Sequence, residues 1–135
     1  MNVSIWIVVV SLILVAGYLL AQTKAGSALE KVYRDPAKLV ELVERKTEPF
    51  ILVDVRTAEE YSSGHIPGAL NIPVDSIGRN YPTQDKDALI ILYCRSGNRS
   101  GAAKQILEQA GFKRLVNFGG VNRWPKDLVT GKNPR

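Results

Sequence analysis

Cysteine and histidine each occur once in the 135 residues, and that scarcity removes whole classes of chemistry. A single cysteine excludes an intrachain disulfide, and one cysteine with one histidine excludes the usual zinc sites. No internal repeat or low-complexity tract interrupts the chain, and its length suits one domain able to bury a core without staples. Charge is absent from the first 23 residues, while the rest carries a net charge of +5. The basic residues from Lys24 to Arg135 are spread among thirteen acids, with no run and no aromatic-interleaved patch. Such a distribution attracts small anions and argues against a nucleic-acid partner.

The uncharged amino terminus is one long apolar run. Val3 to Ala21 holds only two serines among its apolar residues. As a helix it would be about 28 Å long, close to the hydrocarbon thickness of a bilayer. Trp6 and Tyr18 stand near its ends, where interfacial aromatics belong. The alternatives are a cleaved export signal and a buried helix. A cleaved signal has a basic leader and a small-x-small site directly after a shorter apolar core. This segment has no Lys or Arg before it, its nearest candidate site is Ala25-Gly26-Ser27, and no cysteine stands behind it for lipoprotein processing. The reading is an anchor over residues 1–23, a small-and-polar tether over 24–32, and a domain over 33–135.

Within the domain, short apolar runs alternate with helical periodicity. Asp35-Pro36 caps a helix with the stripe Leu39, Val40, Leu42 and Val43. Phe50 to Val53 reads as a buried strand ending at Asp54-Val55-Arg56, and Thr57 to Glu60 as a capping box for a short helix closed by Gly64. Ala69 to Ile72 is expected as a third strand, Asp75 to Arg79 as one helical turn, and Tyr81 to Asp87 as a polar loop. Leu89 to Tyr93 has the pattern of a strand buried on both faces. Ala102, Ala103, Ile106, Leu107 and Ala110 then share a helix face that Gly111 terminates. Leu115 to Asn117 reads as a strand, Phe118-Gly119-Gly120 as a loop, and Val121 to Trp124 as a short helical piece with Trp124 in the core. This alternation predicts an α/β domain with a central parallel sheet flanked by helices.

Cys94 falls between the central strand and its helix, so its thiol faces the amino-terminal end of a helix. The dipole and free N–H groups there favour a thiolate, and Arg95 and Arg99 add positive charge. The flanking Arg, Gly and Asn residues are poor core material, so Cys94 is read as a reactive thiol. Asp54 with Arg56 is read as a salt bridge that fixes a loop, His65 as a loop anchor, and Gly119-Gly120 as allowing close backbone approach.

The loop Cys94-Arg95-Ser96-Gly97-Asn98-Arg99 resembles the active-site loop of the rhodanese (thiosulfate sulfurtransferase) family. Asp54-Val55-Arg56, His65-Ile66-Pro67-Gly68-Ala69, and Gly119-Gly120 with Trp124 are similar to that family's other signatures, in the same order. The resemblance runs from about Tyr33 to the carboxyl terminus and implies one rhodanese domain behind a transmembrane helix. It implies Cys94 as catalytic nucleophile and a substrate-binding loop of Arg95, Ser96, Gly97, Asn98, Arg99 and Ser100. Asp54, Arg56, Gly119 and Gly120 would support that site. The partners implied are thiosulfate or a related anionic sulfur donor and a thiol acceptor, small or on a protein. No metal or organic cofactor is implied.

Two other classes fit less well. A cysteine-dependent phosphatase or arsenate reductase needs five residues between cysteine and arginine, and that arginine position is Ser100 here. A non-catalytic module that binds or positions a partner at the membrane commonly lacks the cysteine, which this chain keeps; a persulfide-carrier module at the membrane is the other alternative. Lys24, Lys31, Arg34 and Lys38 follow the apolar run and none precedes it, which predicts the domain on the cytoplasmic face. An export signal would place it on the periplasmic or outer face instead.

Overall fold

The computed structural model describes residues 2–133. Four parallel strands form one sheet in the order β2-β1-β3-β4, namely β1 Ile51–Asp54, β2 Leu70–Asn71, β3 Leu89–Cys94 and β4 Arg114–Gly120. Four helices accompany them: α1 Val3–Tyr33, α2 Pro36–Arg45, α3 Ala58–Ser63 and α4 Asn98–Gln109. A 3-10 turn at Val121–Arg123 follows β4.

All six residues of β3 are buried, because helices cover both sheet faces. Alternation along the strand divides them. Leu89, Ile91 and Tyr93 join Leu39 and Leu42 of α2, with Leu52, Val116, Phe118 and Trp124. Ile90, Leu92 and Cys94 face the other way, onto Ala103 and Leu107 of α4. Burying each of Leu39, Leu42 and Leu107 fully contributes about 1.5–3 kcal/mol. The same alternation fixes where the thiol points. Cys94 lies on the α4 face, beneath that helix's first turn.

The caps follow the local chemistry. Asp35 accepts from the Ala37 amide at 2.9 Å with Pro36 in the first turn of α2. Thr57 and Glu60 form the reciprocal box that opens α3. Gly111, in the left-handed region at φ 94°, follows the end of α4.

Three segments differ from the sequence-based expectation. Gly119-Gly120 is strand and not loop: Asn117 pairs with Leu92 and Gly119 with Tyr93, so Phe118 is the extra residue of a bulge. Beyond it, β4 resumes its pairing. Asp75 to Arg79 forms consecutive turns begun by Pro73, whose carbonyl accepts from Ser76 and Ile77, without a helix. Residues 24–32, expected as a tether, continue α1 as helix to Tyr33. Residues 3–17 are exposed on every side, whereas Gln22, Gly26, Leu29, Glu30 and Tyr33 form a half-buried stripe against the domain. Leu29 and Tyr33 pack on the core beside α2, Tyr33 hydrogen-bonds Glu48, and Glu30 pairs with Lys104 of α4. A helical period in the contacts explains why this stretch stays helical despite its polar composition.

Candidate functional site

The carboxyl ends of β1, β3 and β4 meet at one edge of the sheet, the edge where open α/β folds hold their sites. β1 ends in Asp54, β3 in Cys94 and β4 in Gly120, with Cys94 and Gly120 paired across the last rung.

Cys94 is fully buried, yet its surroundings are polar. The Gly97 amide donates to Sγ at 3.0 Å and the Ser100 hydroxyl lies 3.3 Å from it. Burial pushes the thiol up, but the Ser100 hydroxyl and the amides of Ser100, Gly97 and Ser96 outweigh it and hold the thiol below its ordinary value. The arrangement is a small anion cradle sized for sulfur. Gly97 makes the turn possible at φ 102°, in the left-handed region.

Asn117 and Glu60 complete this cradle, and sequence reasoning missed both roles. Asn117 Nδ2 donates to the Gly97 carbonyl at 3.1 Å, while its Oδ1 accepts from Ser100 Oγ at 2.7 Å and from the Gly119 amide at 3.0 Å. One side chain thereby ties the loop, the first turn of α4 and the bulge of β4 together. The only signal in the sequence for Asn117 is a polar residue at the end of the short apolar strand Leu115 to Asn117. Glu60 accepts two hydrogen bonds from Arg99, at 2.7 and 3.0 Å, besides its capping work. Arg99 first, then the Thr57 amide, hold the Glu60 carboxyl down at about 2 despite partial burial.

The remaining expected site residues take these places. Arg95, Ser96 and Asn98 are exposed on the loop, and Arg95 has no hydrogen-bond or ion-pair partner among the described residues. Arg99 is half-buried and committed to Glu60. Asp54 and Arg56 form a buried pair, with Arg56 Nη2 donating to Asp54 Oδ2 at 2.7 Å and to the Gly64 carbonyl at 2.7 Å. That pair clamps the β1 end to the α3 end and makes no hydrogen bond to Cys94. His65 is buried, its Nδ1 hydrogen-bonds the Tyr61 carbonyl at 2.9 Å, and its ring stacks on Tyr61 at 3.7 Å. Gly119 and Gly120 lie against the loop itself. A Cβ on Gly120 would sit 2.5 Å from the Arg95 carbonyl oxygen, and a Cβ on Gly97 3.2 Å from the Gly119 Cα. No cluster of three or more His, Cys, Asp or Glu residues able to hold a metal occurs among the described residues.

Comparison with known proteins agrees with this geometry. The Rhodanese-like domain profile matches residues 35–127. The chain belongs to the rhodanese-like family. It is 38% identical over 82 residues to thiosulfate sulfurtransferase PspE of Escherichia coli, covering 59% of this chain and 75% of the relative. A sulfurtransferase of Allochromatium vinosum is 41% identical over 81 residues, covering 59% and 76%. Among solved structures, a rhodanese with anions from E. coli superposes with a TM-score of 0.53 at 35% identity, over 60% of this chain and 98% of that one. A rhodanese-like domain protein from Staphylococcus aureus gives a TM-score of 0.63 at 33% identity, over 71% and 94%. The family and its sulfurtransferase members support sulfur transfer as the general chemistry of this rhodanese domain. The family match, over residues 35–127, lies outside the exposed apolar half of α1, and that helix is long and apolar enough to cross a membrane by length and composition, with a mean hydropathy of 2.6 over its most apolar window.

Proposed function

We propose that the protein is a membrane-anchored sulfurtransferase that takes the outer sulfur of thiosulfate, or of a related anionic donor, onto Cys94 and passes it to a thiol. The observation that carries this reading is the Cys94 cradle, in which amides and one hydroxyl converge on a single sulfur at the amino-terminal end of α4. The Cys94 thiolate attacks the outer sulfur of thiosulfate. A new S–S bond forms, the bond to the sulfonate sulfur breaks, and its electron pair leaves with sulfite. Cys94 then carries a persulfide in which Sγ is the inner sulfur and the negative charge sits on the terminal sulfur, one S–S bond further out along the loop. An acceptor thiolate attacks that terminal sulfur, carries it off as a new persulfide, and returns the Cys94 thiolate.

Arg95, exposed and unpaired at the mouth, supplies the charge that draws in the dianionic donor and offsets the charge building on sulfite. Arg99 adds a fixed positive end to the loop while its charge is shared with Glu60. Ser100 stands where a phosphatase loop needs its arginine, and a hydroxyl aimed at Sγ suits a sulfur atom better than a phosphoryl group. Exposure of residues 3–17 on every side supports the anchor, because an apolar helix with no protein cover needs lipid around it. The basic residues that follow the run support the cytoplasmic face. An impermeant maleimide tests the side: Asn98→Cys, in a Cys94→Ser background, should stay unmodified until cells are lysed.

The decisive test of the chemistry is intact mass after thiosulfate treatment of reduced, folded protein. A gain of one sulfur atom, absent in Cys94→Ser and removed by cyanide or a small thiol, is expected. Unchanged mass would overturn the reading.

A further inference from the structure

Helix α1 passes from its exposed apolar half to its docked half without a break, so the domain's attitude is set by where α1 touches it. Contacts at the two ends of the docked half fix the direction. Tyr18, near the end of the apolar run, lines one groove together with Lys113, the residue preceding β4. Beside Lys113 is Asp87, at 3.6 Å, just ahead of β3. At the other end, Arg123 in the turn after β4 donates to the Arg34 carbonyl at 2.6 Å. Tyr18 to Arg34 spans about 24 Å of helix, close to the length of the seven-residue strand beside it, about 23 Å. The helix therefore climbs along β4 from the strand-N-terminal edge toward the strand-C-terminal edge. Its apolar half projects beyond the first edge.

Cys94 occupies the other edge. In the sheet register Leu89 pairs with Arg114 at the bottom and Cys94 with Gly120 at the top. The strand separates these rungs by about 17 Å. The mouth formed by Arg95, Ser96 and Asn98 opens beyond the upper rung, away from the projecting apolar helix.

We propose that the domain stands on the bilayer with the Asp87–Lys113 edge toward the headgroups and the Cys94 mouth facing away, so that donor and acceptor are both water-borne species and the acceptor is a soluble thiol rather than one carried at the lipid surface. This rests on the anchor reading of α1. A thiol at headgroup level lies below the domain, with the height of the sheet between it and Cys94. A continuous helix with a docked stripe ties any tipping of the domain to a tilt of the whole helix.

Two measurements on the full chain in phospholipid vesicles test the arrangement. In a Cys94→Ser background, a small fluorophore is placed at Asp87→Cys or at Arg95→Cys, and headgroup-borne nitroxide quenching is compared. Quenching several-fold stronger at position 87 than at 95 is expected. Equal quenching, or stronger quenching at 95, in protein that floats with the vesicles overturns the orientation. Protein that fails to float overturns the anchor reading and the orientation with it. In the second measurement, wild-type chain loaded with thiosulfate is offered either a soluble thiol or phosphatidylthioethanol in the same vesicles. Sulfur transfer to the soluble thiol alone is expected. Equal transfer to the lipid thiol refutes the water-borne acceptor, and absence of transfer to either, with no sulfur gained on Cys94, refutes the sulfurtransferase reading while leaving the quenching result standing.

Discussion

Ser100 has one hydroxyl proton and two acceptors within reach, Cys94 Sγ at 3.3 Å and Asn117 Oδ1 at 2.7 Å. The Asn117 amide is pinned by Gly97 and Gly119, so its oxygen is fixed as the acceptor. When Cys94 is a thiolate, the proton turns to sulfur. When it is a thiol, the proton stays with Asn117. Ser100→Ala therefore removes a donor that favours the thiolate, and the pH midpoint of Cys94 alkylation by iodoacetamide should move upward. The Glu60–Arg99 pair gives a stability signature instead. Its carboxyl is held at about 2, below the unfolded range of about 4.3, so the pair stabilises the fold above pH 4.3 and that contribution fades as pH falls toward 2. Both side chains are about one-third exposed, and screening keeps the contribution below about 1 kcal/mol. Urea midpoints of Glu60→Gln and wild type should differ slightly at neutral pH and converge near pH 2. Asp54 is different because it is wholly buried. Asp54→Ala leaves the Arg56 guanidinium without its carboxylate, and a loss of about 3–5 kcal/mol is expected in the same urea titration. For catalysis, Arg95→Ala should lower kcat/KM for thiosulfate by about tenfold, equivalent to ~1.4 kcal/mol, with an unchanged urea midpoint.

At the scale of elements, the two central strands and α4 were legible because each has one dominant pattern. β3 is apolar at every position but its last, where Cys94 stands, and only burial on both faces explains that. The period-3.6 face of α4 and Gly111 beyond it are equally direct. Cys94 could be placed at a strand end from these two elements alone. What escaped were features set by contacts between distant elements. Asn117 is polar in an apolar strand; two residues after Leu115 it faces α4, and its role exists only because that helix begins with the Gly97 turn beside it. Glu60 announced its capping box, but nothing local says that Arg99, 39 residues later, shares its carboxylate. Gly119-Gly120 suggested a loop because glycine weakens strands, yet here the pair lets β4 run flush against the active loop. Gly120→Ala tests this. Its backbone angle is ordinary, at φ −88°, so the substitution acts through the 2.5 Å approach to the Arg95 carbonyl. Sulfur loading of Cys94 should fall sharply, as followed by intact mass, while circular dichroism stays that of the folded domain.

On the scale of the molecule, the tether expected at residues 24–32 is part of the domain's own packing. Leu29 and Tyr33 cover core beside α2, and Glu30 and Tyr33 bind Lys104 and Glu48. Two truncations separate anchor from scaffold. A chain starting at Gln22 should keep the stability of the domain. One starting at Asp35 should lose about 2–4 kcal/mol, since two large apolar side chains leave the surface they cover. Comparing urea midpoints of the two measures the difference. The unbroken helix has a mechanical consequence too. On the anchored reading proposed above, a mast without a hinge spins and drifts with the helix, and the reactive sulfur changes altitude only when the whole mast leans. A thiol free in water meets that sulfur from any bearing, while one held among the headgroups stays beneath it.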